Sequence, residues 1–257
     1  MATTKTIQSL ERAFSILELF QNGKNELSLK EISDSIKLNK STTFGLVNSL
    51  TTLGYLLQNE DNQKYSLGLK ILSLTNAVKM NNILIRVSHP YLEKLSSKYR
   101  ETVHSAMEMN GNIVYIDKVD ADSSIYINTQ VGTKNYMHCT GVGKVLLAYK
   151  SDAQIESFLS THQLKALTYN TITSPEHLKN EMAQIRKNGY GNDDEEIEMG
   201  LSCVAVPVMK SENTPGFAIS VAGPTVRILE HKKNGLAKEL KNISSELSQI
   251  IYGYTAV

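Results

Sequence analysis

The sequence predicts two domains, an all-α module carrying a small β element followed by a larger α+β domain. Three observations predict it. Apolar residues recur at helical spacing through residues 7–53. The period shortens to that of paired short strands over 55–67. Beyond residue 100, strand-like and helix-like patterns alternate. At 257 residues the chain has the length for this division, which we place at 1–67, a linker helix over 68–85, and 86–257.

In the first module, Ile7, Leu10, Phe14, Leu17 and Phe20 share one helical face, and Asn22-Gly23 ends the helix. Ser28-Leu29-Lys30-Glu31 is a capping-box sequence. The Ser28 hydroxyl accepts from the third helical amide while the Glu31 carboxylate reaches back. That short helix carries Leu29, Ile32 and Ile36 inward, and Lys37-Leu38-Asn39 breaks it. Asn39 suits the N-cap of a third helix over 40–53, with Leu46, Val47, Leu50 and Leu53 inward. Strands over 55–58 and 64–67 flank the polar turn 59–63. From Gly68 a helix resumes with Leu67, Ile71, Leu74 and Val78 along one face and Leu69 and Leu72 along another. Two apolar sides fit a dimer seam; burial wholly within one chain fits equally.

In the second domain, Pro90 interrupts the chain before a helix through Leu92, Leu95 and Tyr99. Strands over 102–109 and 112–119 flank Asn110-Gly111, a strong hairpin turn. A third strand is expected over 125–129, and helices over 142–149 and 175–188. Residues 201–208 and 217–221 read as strands buried on both faces, and a helix bearing Leu236, Leu240, Ile243, Leu247 and Ile250 closes the chain.

Composition narrows the function classes. With 41% hydrophobic and 21% charged residues, the chain is an ordinary globular one. The apolar runs fall far short of a membrane span of roughly 20 residues. Met1 to Thr6 show no signal-peptide apolar core, and two cysteines make no disulfide framework, so a cytoplasmic protein is expected. A net charge of +1 does not announce nucleic acid; any such charge must be local.

The local charge is in the third helix. A helix, a short turn and a second helix is the geometry that enters a major groove. Its first turn, Lys40-Ser41-Thr42-Thr43, offers hydroxyls and a cation at an end that already favours phosphate. Residues 37–52 hold two lysines and no carboxylate, and residues 1–85 hold nine Lys plus Arg against seven Asp plus Glu. With so few cations one copy should bind weakly, which points to a homodimer, possibly a tetramer, on paired half-sites of operator DNA. The alternative is a helix-turn-helix used for protein contacts, which would more often show apolar anchors there. An enzyme reading would use His138, Cys139 and Cys203 as a metal or nucleophile set, a metal-binding hydrolase, but the spacing matches no zinc pattern and no third group orients a base. We expect no cofactor and no metal.

The sequence resembles the IclR family of bacterial regulators over nearly its whole length. The resemblance runs through Ile7-Gln8-Ser9-Leu10-Glu11-Arg12-Ala13, Lys40-Ser41-Thr42, Tyr65-Ser66-Leu67-Gly68, Gly141-Val142-Gly143-Lys144, Asp193-Asp194-Glu195-Glu196 and Ala218 to Pro224. It implies a winged helix-turn-helix joined to a GAF-like α+β domain that binds a small organic acid or sugar acid. It implies DNA contacts from Lys30, Lys40, Ser41, Thr42, Thr43, Phe44, Asn48 and Lys64. It also implies an effector cavity lined by Gly141, Val142, Asp193, Leu201, Cys203 and Ser220. The function implied is a repressor released by its effector; an activator of an aromatic-acid pathway is the alternative. In this chain Lys37 stands where the family usually has glycine, Gly45 where it often has arginine, and Ala222 where it frequently has a second serine. Phe44 is open to two readings, a thymine-methyl contact or packing on the first helix. So is the start of the 142–149 helix, as a carboxylate seat or a plain helix start.

Overall fold

The computed structural model describes residues 6–21, 25–123 and 127–255, with the side chains of 79–81 left out. The expected stop at Asn22-Gly23 lies outside these residues. The chain divides into two units, 1–81 and 82–257.

In the first unit, α1 (Gln8–Glu18), α2 (Leu29–Ile36) and α3 (Lys40–Thr52) precede a hairpin of β1 (Leu56–Gln58) and β2 (Tyr65–Leu67). Ile16, Phe20, Leu27, Ile32, Val47, Leu50, Leu56 and Tyr65 form its core. The buried side of α1 is therefore Ile16 and Phe20, whereas Ile7, Leu10 and Phe14 are exposed. Leu53, expected inward, is exposed as well. Leu69, just before α4 (Lys70–Asn81), and Leu72, Leu74 and Val78 on it are exposed.

Asn82 then caps α5 (Ile83–Tyr99), which runs through Pro90 without ending. Pro90 removes a backbone donor, but Ile85, Leu92, Leu95 and Tyr99 are buried in the core, and that packing outweighs one lost hydrogen bond. Among the described residues the second unit has one antiparallel six-stranded sheet, order β5-β4-β3-β8-β7-β6. Its strands are β3 (Thr102–Met109), β4 (Asn112–Val119), β5 (Lys134–Tyr136), β6 (Gly191–Asp194), β7 (Leu201–Ser211) and β8 (Thr214–Pro224). Ile127–Thr129 are irregular, so the strand expected there is absent from its described part.

Alternation along β7 and β8 separates the two faces. Val204, Val206, Val208, Phe217, Ile219 and Val221 face a layer that includes α5, α9 (Thr225–Lys233) and α10 (Leu236–Tyr252). The small residues Ala205 and Ala218 face the other layer, α6 (Gly141–Ala148), α7 (Asp152–Thr161) and α8 (Pro175–Asn188). Small side chains let α6 approach closely. All eight of its residues are buried.

Candidate nucleic-acid helix and effector cavity

The turn before α3 is set by its flanks. Lys37 closes α2 in the left-handed region (φ 53°), with its N–H on the Ser33 carbonyl, and the Ser33 hydroxyl donates to Leu38 O at 2.6 Å. Lysine in a position suited to glycine costs roughly 1 kcal/mol. Both capping-box bonds between Ser28 and Glu31 form, and Asn39 Oδ1 accepts from the Thr42 amide at 2.8 Å. Lys30, Lys40, Ser41, Thr42 and Asn48 are exposed and Lys64 is half-buried. Phe44 is 53% exposed, which removes the reading that it packs on the first helix.

Thr43 is the exception. It is fully buried, and its hydroxyl donates to Asn39 O at 3.0 Å, so it cannot contact DNA; it belongs to the inward face with Val47 and Leu50. Gly45 is exposed, and an added side chain there would meet nothing within 4 Å.

In the second unit, Gly141, Val142, Asp193, Leu201, Cys203 and Ser220 all line one cavity with about 50 Å³ of free space. Sheet register brings four strands together there. Asp193 pairs with Cys203 and Cys203 with Ala222 in one row; Ser220 pairs with His104 in the next. The sequence reading missed His104, Tyr115, Thr129 and Asn135, which also line it. No sequence signal marked His104, because its place opposite Ser220 follows from the register between β3 and β8. A wider hollow of about 600 Å³ lies at the other end of α6, among residues that include Glu108, Lys150, Arg186 and Gly216. Lys150 pairs with Glu108 there, Arg186 bonds the Ala148 carbonyl, and none of the expected residues reaches it.

The first turn of α6 is capped from within. Thr140 Oγ1 accepts from the Gly143 amide and Thr140 O from that of Lys144, while Gly141 and Val142 flank the cavity. A side chain at Gly141 would come within 2.5 Å of Cys203 Sγ, and one at Gly143 within 2.5 Å of the Met137 backbone.

The acidic run is not a solvated loop. Asp193 and Glu196 are buried, and Asp194 is exposed. The Glu196 amide donates to Asp193 Oδ1 at 2.8 Å, and the Glu196 carboxylate pairs with Lys144, itself only 2% exposed. Glu181 lies 3.8 Å from the same ammonium. Burial, then the neighbouring Glu196 charge, pushes the Asp193 carboxyl up to about 7. Burial and the Lys118 charge push His104 down to about 3, so its ring is neutral; it lies 2.6 Å from Thr129 Oγ1.

The hydrolase set finds no support. His138 Nε2 is bonded to Lys165 O, burial raises the Cys203 thiol and pushes Cys139 up to about 12, and neither is an activated nucleophile. Among the described residues no group of three or more His, Cys, Asp or Glu could hold a metal ion.

A helix-turn-helix with a β hairpin, joined in one chain to a GAF-like α+β domain, defines a DNA-binding transcriptional regulator rather than an enzyme. Residues 9–60 match the IclR helix-turn-helix domain, and 75–249 match the bacterial transcriptional regulator IclR C-terminal domain. The chain belongs to the IclR family. It is 32% identical to the HTH-type transcriptional regulator KdgR of Escherichia coli (strain K12), over 95% of this chain and 92% of KdgR. It is 31% identical to the acetate operon repressor of Salmonella typhimurium, over 98% of this chain and 92% of that one. The crystal structure of Thermotoga maritima IclR superposes with TM-score 0.81 at 30% identity, covering 97% of this chain and all (100%) of that one. An IclR homolog complexed with 4-hydroxybenzoate, from Microbacterium hydrocarbonoxydans, shares the fold with TM-score 0.81 at 21% identity, over 96% of this chain and 100% of that one. Among the described residues no helix is long and apolar enough to cross a membrane.

Proposed function

We propose that this regulator is a cytoplasmic repressor whose hold on its operator is loosened by a small carboxylate or sugar acid bound in the cavity of the second unit. The observation that carries this reading is the convergence of all six expected effector residues on one cavity at the N-terminus of α6. A helix N-terminus favours a carboxylate through its amides and dipole. The cavity's narrowness favours a short-chain acid over an aromatic one. The relatives named as repressors support the direction of control. Operator contacts come from Lys30, Lys40, Ser41, Thr42, Phe44, Asn48 and Lys64, and the exposed apolar faces of α1 and α4 support a homodimer that assembles further to a tetramer.

Thermal-shift screening against keto acids, sugar acids and aromatic acids tests the effector. A ligand at about 100 times its Kd adds roughly 2.7 kcal/mol, a readable shift. The same ligand should weaken gel-shift binding to DNA upstream of neighbouring genes. A chain lacking residues 1–80 that still binds such DNA would remove the proposal.

A further inference from the structure

We infer that this cavity takes its acid together with a proton, one hydrogen being shared between the ligand carboxylate and Asp193. The inference rests on the effector reading above and concerns how that site is regulated.

The charges around Asp193 lead to it. Asp193 is 6% exposed and faces the cavity. The cation beside it, Lys144 on α6, is already paired with Glu196 and near Glu181. Lys118 on β4 bonds the carbonyls of Ile127 and Thr129 and pairs with Asp120 at 2.6 Å. The other titratable groups facing Asp193 are Glu196 just past β6, Cys203 on β7, Cys139 before α6 and Tyr115 on β4, while His104 on β3 lines the same cavity. None of these supplies a positive charge near neutrality: the thiols and the phenol are pushed further toward their protonated neutral forms, and His104 away from its cationic one.

An ionised ligand would therefore set a second negative charge beside a buried carboxylate with no cation left to balance it. Two carboxylates in one site do not both ionise; one holds the proton and donates it to the other. Above neutral pH, where free Asp193 is ionised, each carboxylate that enters takes one proton from solvent, and no covalent bond changes. A ligand that instead presents a hydroxyl to Asp193, and no carboxylate, would take up none.

Calorimetric titration of the full chain tests this with pyruvate, D-gluconate and 4-hydroxybenzoate as probes, in phosphate and in Tris at pH 8. The difference in heat between the buffers counts protons. About one proton per ligand is expected, with Kd weakening about tenfold for each pH unit above 7. Asp193→Asn should flatten that profile, with its melting curve showing that it folds. Binding with no proton uptake and a level profile from pH 6 to 9 overturns the inference and leaves effector binding standing. No heat from any probe, even at pH 6, removes both.

Discussion

Gly45 sits on the exposed face of α3 with open space around its Cα, and its carbonyl accepts the Ser49 hydroxyl at 2.8 Å. Nothing in the fold requires a glycine there. Gly45→Ala should stabilise the first unit by about 1 kcal/mol, read as a higher urea midpoint, because glycine in a helix interior costs that much. Gly45→Arg should fold as well and change which operator sequences are retained in a selection, since arginine can read guanine where glycine cannot. Asp193 makes the opposite case, a residue kept at a cost to stability. Its carboxyl ionises near 3.8 when free and near 7 in the fold, so the folded chain holds an extra proton between those values. Stability should therefore fall as pH rises from about 4 to 7. Asp193→Asn should stabilise the ligand-free protein by roughly 4 kcal/mol at pH 8 and by little at pH 4, measured by denaturation at both.

At the scale of elements, what could be read from the sequence depended on whether a segment carried its own signal. The Ser28 box, the Asn39 cap and the Asn110-Gly111 turn are local chemistry, and all formed where expected, the last with φ of 53° and 75°. Asn39→Ala should cost about 1 kcal/mol and weaken operator binding, because α3 would lose its fixed start; chemical denaturation and gel shift check the two effects. The sequence reading missed α7, α9, β5 and β6. Each of the two helices buries few apolar residues, Ile155 and Phe158 in one and Ile228 in the other, so no periodic stripe reveals them. Gly191-Asn192-Asp193-Asp194 has poor strand propensity and is a strand because β7 pairs with it. The expected strand over 125–129 failed at its described end for a related reason. The carbonyls of Ile127 and Thr129 accept from the Lys118 ammonium, a side chain doing what a neighbouring strand would. Thr43 was misread because a hydroxyl in a first helical turn looks the same in sequence whether it faces solvent or the Asn39 carbonyl. The cavity was legible through family resemblance at six positions, whereas His104, Tyr115, Thr129 and Asn135 arrive by sheet register and loop placement, which spacing alone does not reveal.

Across the whole molecule, the apolar surface of α4 and of Leu69 just before it matters most. Leu69, Leu72, Leu74 and Val78 are each more than half exposed in the single chain, at 73%, 58%, 53% and 58%. Leu74→Lys should leave each protomer folded, abolish the dimer in sedimentation analysis, and weaken operator binding, because two half-sites would no longer be held together. A protein of this variant that still sediments as a dimer removes α4 as the seam.

The tight seat of α6 has a consequence for how such a regulator acquires new specificities. With Gly141 against the Cys203 sulfur on β7 and Gly143 against the Met137 backbone before α6, neither glycine takes a side chain without displacing its neighbour. One wall of the cavity is thus fixed. On the proposed effector reading, a change of ligand would then be written at positions 220 and 222, which line the same cavity and which neither glycine abuts.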